Sequence, residues 1–446
     1  MQLHKNYQIN GIRKICLFVL VLFFVTFALS KLSEIPGQVK MSNDAAVSEQ
    51  TSTGSSICHA ASAKTTHTLL SRNTASGGNI SKTATAKTKD SGSFAQENSQ
   101  SSTIAQQLAT TIEAENIVDN GFGIAAGGEL IYWQQEDLNK FFQELNNLGV
   151  TWVRWDVDWQ AIQPDNSQKY NWEETDRVAT TAKKYGVKSL GIVTYAPKWA
   201  SRESCPDDKL CPPESVDAFA DFAGTAAQRY KGLVDDWEIW NEPNEQTYWY
   251  PLPDAADYTQ LLKASYAKIK EANPDAVVVS AGLTDMGDEA GVSISPLNFV
   301  NTMYENGAKD YFDIMALHPY TYPGHDYGWP QIIAIWKAMD QNGDGEKKIW
   351  LTEYGAPTGG PGKAFEIGED GFSYGEDFMS EEAQSQMAES VFAFKSANPE
   401  RVGNVFWYSL CDSSADKSTS ENFFGILRYD GTKKPVYQTL KELFAR

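Results

Sequence analysis

Eight short apolar runs alternate with longer amphipathic stretches between residues 120 and 446. They predict an α/β fold, a (β/α)8 TIM barrel preceded by a disordered N-terminal segment. Two further observations support that reading. All 13 Trp residues lie at Trp133 or later, whereas residues 32–110 hold almost no aromatics. No Gly-rich dinucleotide turn follows the first apolar run, which argues against an open doubly wound sheet. The expected organisation is a targeting segment (1–31), a linker (32–119) and one folded domain (120–446).

The targeting segment has a recognisable shape. Lys5, Arg13 and Lys14 precede an apolar run from Ile15 to Leu29. At about 15 residues it is short for a bilayer span of about 20 and suits the hydrophobic region of a signal peptide. Ala28-Leu29-Ser30 offers a small-residue cleavage site; an uncleaved membrane anchor through 15–29 is the alternative. Either outcome predicts an extracellular or cell-envelope protein. Residues 32–110, rich in Ser, Thr, Ala, Gln and Gly, cannot bury enough surface to offset chain entropy. They read as a disordered spacer or a glycosylated stalk, and 104–118 could form a short helix.

Charge separates the two parts. Residues 1–119 carry 10 Lys+Arg and 8 Asp+Glu, which leaves 28 and 50 for 120–446, a net charge of −22. So acidic a domain argues against a nucleic-acid partner. It fits a soluble protein acting on a neutral ligand.

Within 120–446 the strand-like runs are 121–126, 151–157, 188–194, 236–240, 276–281, 312–317, 348–352 and 404–409. Helices are expected at 136–147, 173–185, 216–230, 255–272, 296–306, 330–340, 380–396 and 434–445. Asn147-Leu148-Gly149, Lys184-Tyr185-Gly186 and Ala272-Asn273-Pro274 look like helix ends. Of the five Cys residues, Cys205 and Cys211 bracket a short loop that a disulfide could close in an oxidising compartment. A zinc site there lacks nearby ligands. Cys58 falls in the linker, and Cys411, after an apolar strand, reads as a small buried residue.

Two strings carry the chemistry. Trp240-Asn241-Glu242-Pro243-Asn244 and Leu351-Thr352-Glu353-Tyr354-Gly355 each place a glutamate at the end of a strand, the fourth and the seventh. Function in such barrels sits at the strand C-termini. Cleaving an acetal needs a proton for the departing oxygen and a negative group beside the anomeric carbon, so two carboxyls in different protonation states suffice.

These strings are similar to the acid/base and nucleophile segments of glycoside hydrolase clan A, in particular families 39 and 5. The resemblance covers most of 120–446 and none of 1–119. It implies that Glu353 attacks the anomeric carbon while Glu242 protonates the leaving oxygen and then serves as base for water, giving a retaining β-glycosidase. It also implies supporting roles. Arg154 holds the nucleophile and Asn241 binds the sugar 2-hydroxyl. His318 and Tyr320 orient the nucleophile and line the nearest subsite, and Trp407 is the platform under the sugar.

Trp199, with Trp159, Tyr195, Trp249 and Trp329, also follows strands and could line further subsites, which points to an extended cleft and endo-action. Asp156 and Asp158 could bind hydroxyls. Glu238, four residues before Glu242, is expected about 13 Å deeper, at about 3.3 Å per residue, as a buried paired charge toward the far end of the barrel. Asp340–Glu346 resembles half of a calcium loop, but Leu351 stands where the last ligand belongs, so it reads as a turn. No metal or cofactor is expected, the partner is a carbohydrate, and a monomer is expected. A transglycosylase or a catalytically inactive carbohydrate-binding envelope protein are the alternatives.

Overall fold

The structure, a computed structural model, describes residues 57–58, 119–320, 323 and 329–445. The readings of 1–31 as signal or anchor and of most of 32–119 as linker lie outside these residues. Among the described residues no helix is long and apolar enough to cross a membrane.

The barrel strands are β1 (Phe122–Gly127), β2 (Trp152–Asp158), β3 (Lys188–Thr194), β4 (Asp236–Ile239), β5 (Val277–Val279), β6 (Leu283–Thr284), β7 (Met315–His318), β8 (Ile349–Tyr354) and, after a small β9–β10 ladder (Ala364–Phe365 with Phe378–Met379), β11 (Val402–Tyr408). They form one parallel sheet in the order β5-β4-β3-β2-β1-β11-β8-β7-β6. Its two edges are β5, which falls inside the expected run at 276–281, and β6, which lies just beyond it. Parallel bridges from Val279 of β5 to Ile314, just before β7, and from Asn241, after β4, to Gly282, just before β6, close the sheet on itself. The result is the (β/α)8 barrel.

Helices fill the connections: α1 (Gln135–Leu148), the short α2 (Trp159–Ile162), α3 (Glu173–Lys184), α4 (Val216–Arg229), α5 (Ala255–Ala272), α6 (Pro296–Glu305), α7 (Trp329–Gln341), α8 (Glu381–Ala397) and α9 (Pro435–Phe444). Local chemistry sets their ends. In α1, Leu138, Phe141, Phe142, Leu145 and Leu148 bury one face, and Gly149 ends the helix at φ 88°. Ser215, Asp254 and Ser380 accept backbone N–H bonds as N-caps of α4, α5 and α8. Pro296 and Pro435 open α6 and α9, where the missing N–H costs nothing.

The bore is packed separately from the helix layer. Ala125, Trp152, Leu190, Val279, Ala316, Trp350 and Phe406 form their own cluster. Trp152 meets Trp350 edge-on at 5.5 Å and Phe406 at 6.3 Å. At roughly 25 cal/mol per Å², each such ring contributes about 4–6 kcal/mol of transfer free energy before entropy is counted. This aromatic plug is the floor on which the polar site stands.

Two of the cysteine readings change. Cys205 and Cys211 form a disulfide, with a Cα separation of 6.0 Å. Cys58 and Cys411 form a second one across 353 residues. Cys411 is therefore not a lone buried thiol, and Cys58 is not a free linker residue. Sequence spacing could not pair them, since pairing depends on where the chain returns in space. Closing a long loop constrains the unfolded chain most. Cys411→Ser should accordingly cost about 2–5 kcal/mol, more than Cys205→Ser, in urea denaturation under non-reducing conditions. The Asp340–Glu346 segment is a turn tied into the fold: Asp340 pairs with Arg401 and Asp344 with Lys347 and Tyr304.

Candidate active site

The end of β4 abandons regular strand geometry. Trp240 and Glu242 take left-handed conformations, with φ of 71° and 46°. Such backbone costs about 1–3 kcal/mol per residue and needs surrounding support. The support is visible: the Trp240 indole N–H donates to the Tyr248 carbonyl at 2.9 Å, and its ring packs on Trp249 and Tyr195. Strand alternation is thereby broken, and Asn241 and Glu242 both reach the mouth of the bore. The same local turn explains why Glu238 is not at the far end of the barrel. The chain does not rise 3.3 Å per residue here, and Glu238 lies directly under the site.

Arg154, fully buried on β2, organises the cluster. Its Nε and Nη2 donate to Glu238 at 2.7 and 3.0 Å, and Nη2 also donates to Asn241 Oδ1 at 2.8 Å. Its Nη1 binds Glu353 Oε1. Because arginine only donates, Asn241 must turn its oxygen inward, which leaves its amide nitrogen for another partner. Tyr320 donates its hydroxyl to Glu353 Oε2 at 2.6 Å. His318 on β7 places Nδ1 2.8 Å from Glu242 Oε1 and Nε2 3.0 Å from the Thr352 hydroxyl.

One carboxylate oxygen of Glu242, one of Glu353 and a ring nitrogen of His318 lie within 4.8 Å of one another. That spacing alone would suit a metal ion. However, the Arg154 guanidinium already binds Glu353 and puts a fixed positive charge beside this group, which opposes a bound cation. The arrangement instead sets two carboxyls in opposite states. Burial pushes Glu242 up, and the negative charge of Glu353 adds to this against the opposing pull of Arg154. Burial also works against Glu353, yet the Arg154 charge and the Tyr320 hydrogen bond help hold it below the usual glutamate range. One carboxyl is thus kept as an acid and the other as an anion.

Of the residues singled out in the sequence, Glu242, Glu353, Arg154, Asn241, His318 and Tyr320 converge here. Trp407 does not. It is buried in the outer layer, edge-on to Tyr354 at 6.0 Å and beside Leu148, Val391 and Leu440. Alternation along β11 is the reason: Phe406 and Tyr408 point into the bore, so Trp407 points out. Tyr408 takes the position expected of Trp407, with its ring 6.4 Å from Tyr320 and 5.5 Å from Phe424. The shared parity of Phe406 and Tyr408 was the signal available in the sequence. Trp199 is held elsewhere: its N–H donates to the Gln163 carbonyl and its ring abuts Trp159. Trp159 and Trp249 are core residues, and Trp329 stacks on Phe394 at 4.1 Å. Trp159 and Trp249 therefore cannot line an extended cleft, whereas Tyr195 lies beside Glu242.

The family model described as Cellulase (glycosyl hydrolase family 5) matches residues 111–407, a span that contains both glutamates, Arg154, Asn241, His318 and Tyr320. The chain belongs to glycoside hydrolase family 5. No match was found among curated protein sequences. Among solved structures, the family 5 domain resembles a family 39 glycoside hydrolase from Bacteroides cellulosilyticus WH2, with TM-score 0.56 and 22% identity over 73% of this chain and 63% of that one. It also resembles a monomeric β-xylosidase from Caulobacter crescentus CB15 (0.54, 15%, covering 74% and 69%) and a GH5_18 structure from Streptomyces cattleya in complex with GlcNAc (0.54, 16%, covering 73% and 79%). The chain thus spans less than two thirds of the Bacteroides protein. The family 5 domain shares their barrel.

Proposed function

We propose that this glycosidase is an exported retaining β-glycoside hydrolase that cleaves a neutral polysaccharide or oligosaccharide in two steps. The observation that carries the reading is the separation of Glu242 and Glu353, with carboxylate oxygens within 4.8 Å. Retaining enzymes keep their carboxyls about 5–5.5 Å apart, and inverting ones need about 6.5–9.5 Å to admit a water. Glu353, held ionised, attacks the anomeric carbon. Glu242, held protonated, gives its proton to the leaving oxygen. Esterification of Glu353 removes its charge, so Glu242 becomes easier to ionise and can draw a proton from water. Asn241 offers its amide nitrogen to the sugar 2-hydroxyl, and Tyr408 offers its ring as a platform.

A match to a cellulase model supports β-linked neutral sugars. Charge supports this independently. Burial raises Glu421, Glu129 and Asp156 (the last to about 7), and the negative charge of Glu353 acts on both Glu421 and Asp156. A cleft ringed by carboxyls suits hydroxyls and repels uronic acids. Two disulfides and the 15–29 apolar run support an oxidising, extracytoplasmic location, which N-terminal sequencing of the mature protein and cell fractionation test. A monomer is proposed as well, to be checked by light scattering.

The full chain should release the β-anomer first from a β-linked glucan, xylan or aryl glycoside, as followed by proton NMR. First release of the α-anomer would overturn the two-step reading, and cleavage of polygalacturonate in preference to neutral glycans would overturn the substrate class. The rate should follow a bell in pH, its acid limb below and its alkaline limb above the usual glutamate range. Tyr408→Ala should raise KM about tenfold, whereas Trp407→Phe should leave KM unchanged and lower only the melting temperature.

A further inference from the structure

Beneath Glu242 a line of buried polar groups constrains where protons can sit. The Glu238 carboxylate is fully buried and meets only donors. These are Arg154 at 2.7 and 3.0 Å, the Gly282 backbone N–H at 2.9 Å and the Thr352 hydroxyl at 3.2 Å. The guanidinium, which pairs with both carboxyl oxygens, and the amide can only donate, so Glu238 serves here as the charge-paired acceptor. The Thr352 hydroxyl has one hydrogen and two candidate acceptors, Glu238 and His318 Nε2. Bonds to a charged acceptor are roughly twice as strong as neutral ones, so the hydrogen goes to Glu238. In the 3.0 Å contact with His318 the threonine oxygen then accepts, and Nε2 must carry the ring hydrogen. In the neutral ring Nδ1 is left as a bare lone pair, and Nδ1 is the atom 2.8 Å from Glu242 Oε1. An ionised Glu242 would face that lone pair with another.

We propose that Glu238 and Thr352 are positioning residues that fix His318 as its Nε2–H tautomer, so that the ring faces Glu242 as an acceptor and the acid proton stays on Glu242 until the leaving oxygen takes it. The packing is built for this line. A Cβ on Gly282 would lie 2.0 Å from His318 Nε2 and 2.6 Å from the Thr352 hydroxyl, so only glycine lets the three approach. The inference rests on the reading of Glu242 as the acid.

Loss of the Thr352 hydroxyl leaves a buried N–H at Nε2 without an acceptor. Moving that hydrogen to Nδ1 relieves it, and Nδ1–H then donates to an ionised Glu242 and favours the carboxylate. The other groups facing Glu242 and His318 are Arg154 and Asp156 from β2, Tyr195 after β3, Glu238 and Tyr248 from β4 and its loop, Tyr320 after β7, Glu353 on β8, Tyr408 on β11, and Glu421 with Tyr374 from the covering loops. None is altered in a Thr352 variant, so a change between variants reports on this line alone.

The test is nitrogen-15 NMR of the full chain labelled at histidine, with His318 assigned by its absence in His318→Gln. Wild type and Thr352→Ser should show protonated Nε2 and bare Nδ1. Thr352→Val should reverse this and move the alkaline limb of the pH–rate profile on a 4-nitrophenyl β-glycoside down by about one unit. Protonated Nδ1 in the neutral ring of the wild-type protein overturns the proposal, whether or not the valine variant folds. So does an unchanged tautomer and profile in a folded Thr352→Val. Glu242→Ala separates the two readings: if it hydrolyses like wild type, the acid assignment fails, and if it loses activity that azide restores, that assignment stands whatever the tautomer.

Discussion

Glu353→Gln should lower turnover roughly 10⁴- to 10⁶-fold while the barrel stays folded. The amide keeps the shape, and its oxygen can still accept from Arg154 while its nitrogen donates to the Tyr320 oxygen. What is lost is the charge that attacks. At 1.36 kcal/mol per tenfold, the loss is about 5–8 kcal/mol of transition-state stabilisation. Stability should respond differently. The folded-state pKa of Glu353 lies below its unfolded value. Its carboxylate therefore contributes stability above the usual glutamate range, and that contribution disappears as pH falls through the lowered value. The glutamine variant should be less stable than wild type at pH 7, with the gap closing under acid conditions. Glu242 has the opposite sign, since burial raises it: its cost to folding grows as pH rises through its raised value. Steady-state kinetics beside thermal unfolding at several pH values checks both halves.

Arg154→Met should destabilise the protein by about 3–5 kcal/mol and remove activity with it. The side chain is only 1% exposed and neutralises two acids at once, Glu238 and Glu353. Without it, two buried carboxylates face each other through a low-dielectric core, and Asn241 loses the donor that fixes its amide. Lysine is no substitute, because a compact ammonium lacks the planar fork that reaches three partners. Pairing Arg154→Met with Glu238→Gln should return part of the stability but not the activity. Urea denaturation of the four proteins in that double-mutant cycle measures the coupling.

The barrel was legible because each of its signals is local. Amphipathic spacing placed α5 at 255–272 to the residue, and caps such as Ser215, Asp254 and Ser380 mark helix starts within one turn. The apolar run at 276–281 was read as one strand, but the strand there ends at Val279 and a second short strand, Leu283–Thr284, follows beyond the run. Closure is a property of the whole sheet, and no window of sequence contains it. The two glutamates were legible because Asn241-Glu242-Pro243 and Thr352-Glu353-Tyr354, weak motifs singly, fall together at the ends of two strands of one barrel. Trp407 and Glu238 were misplaced by opposite errors. For Trp407 strict alternation was ignored where it holds, and for Glu238 it was applied where left-handed residues at Trp240 and Glu242 break it. Thr352 lies inside a string that was quoted for its glutamate alone, and Tyr408 was marked only by its parity with Phe406; the roles of both come from neighbours contributed by other strands.

The bond between Cys58 and Cys411 gives the molecule a covalent topology of its own. Backbone and disulfide together make a closed ring that contains every strand of the barrel, both glutamates and the whole connecting stretch before Asp119. The segments ahead of Cys58 and behind Cys411 are each attached at a single point. A protease that cuts once inside the ring opens it but releases nothing, and a cut between Cys58 and Asp119 leaves any leading segment still fastened to the enzyme. Separation takes a second cut or a reductant.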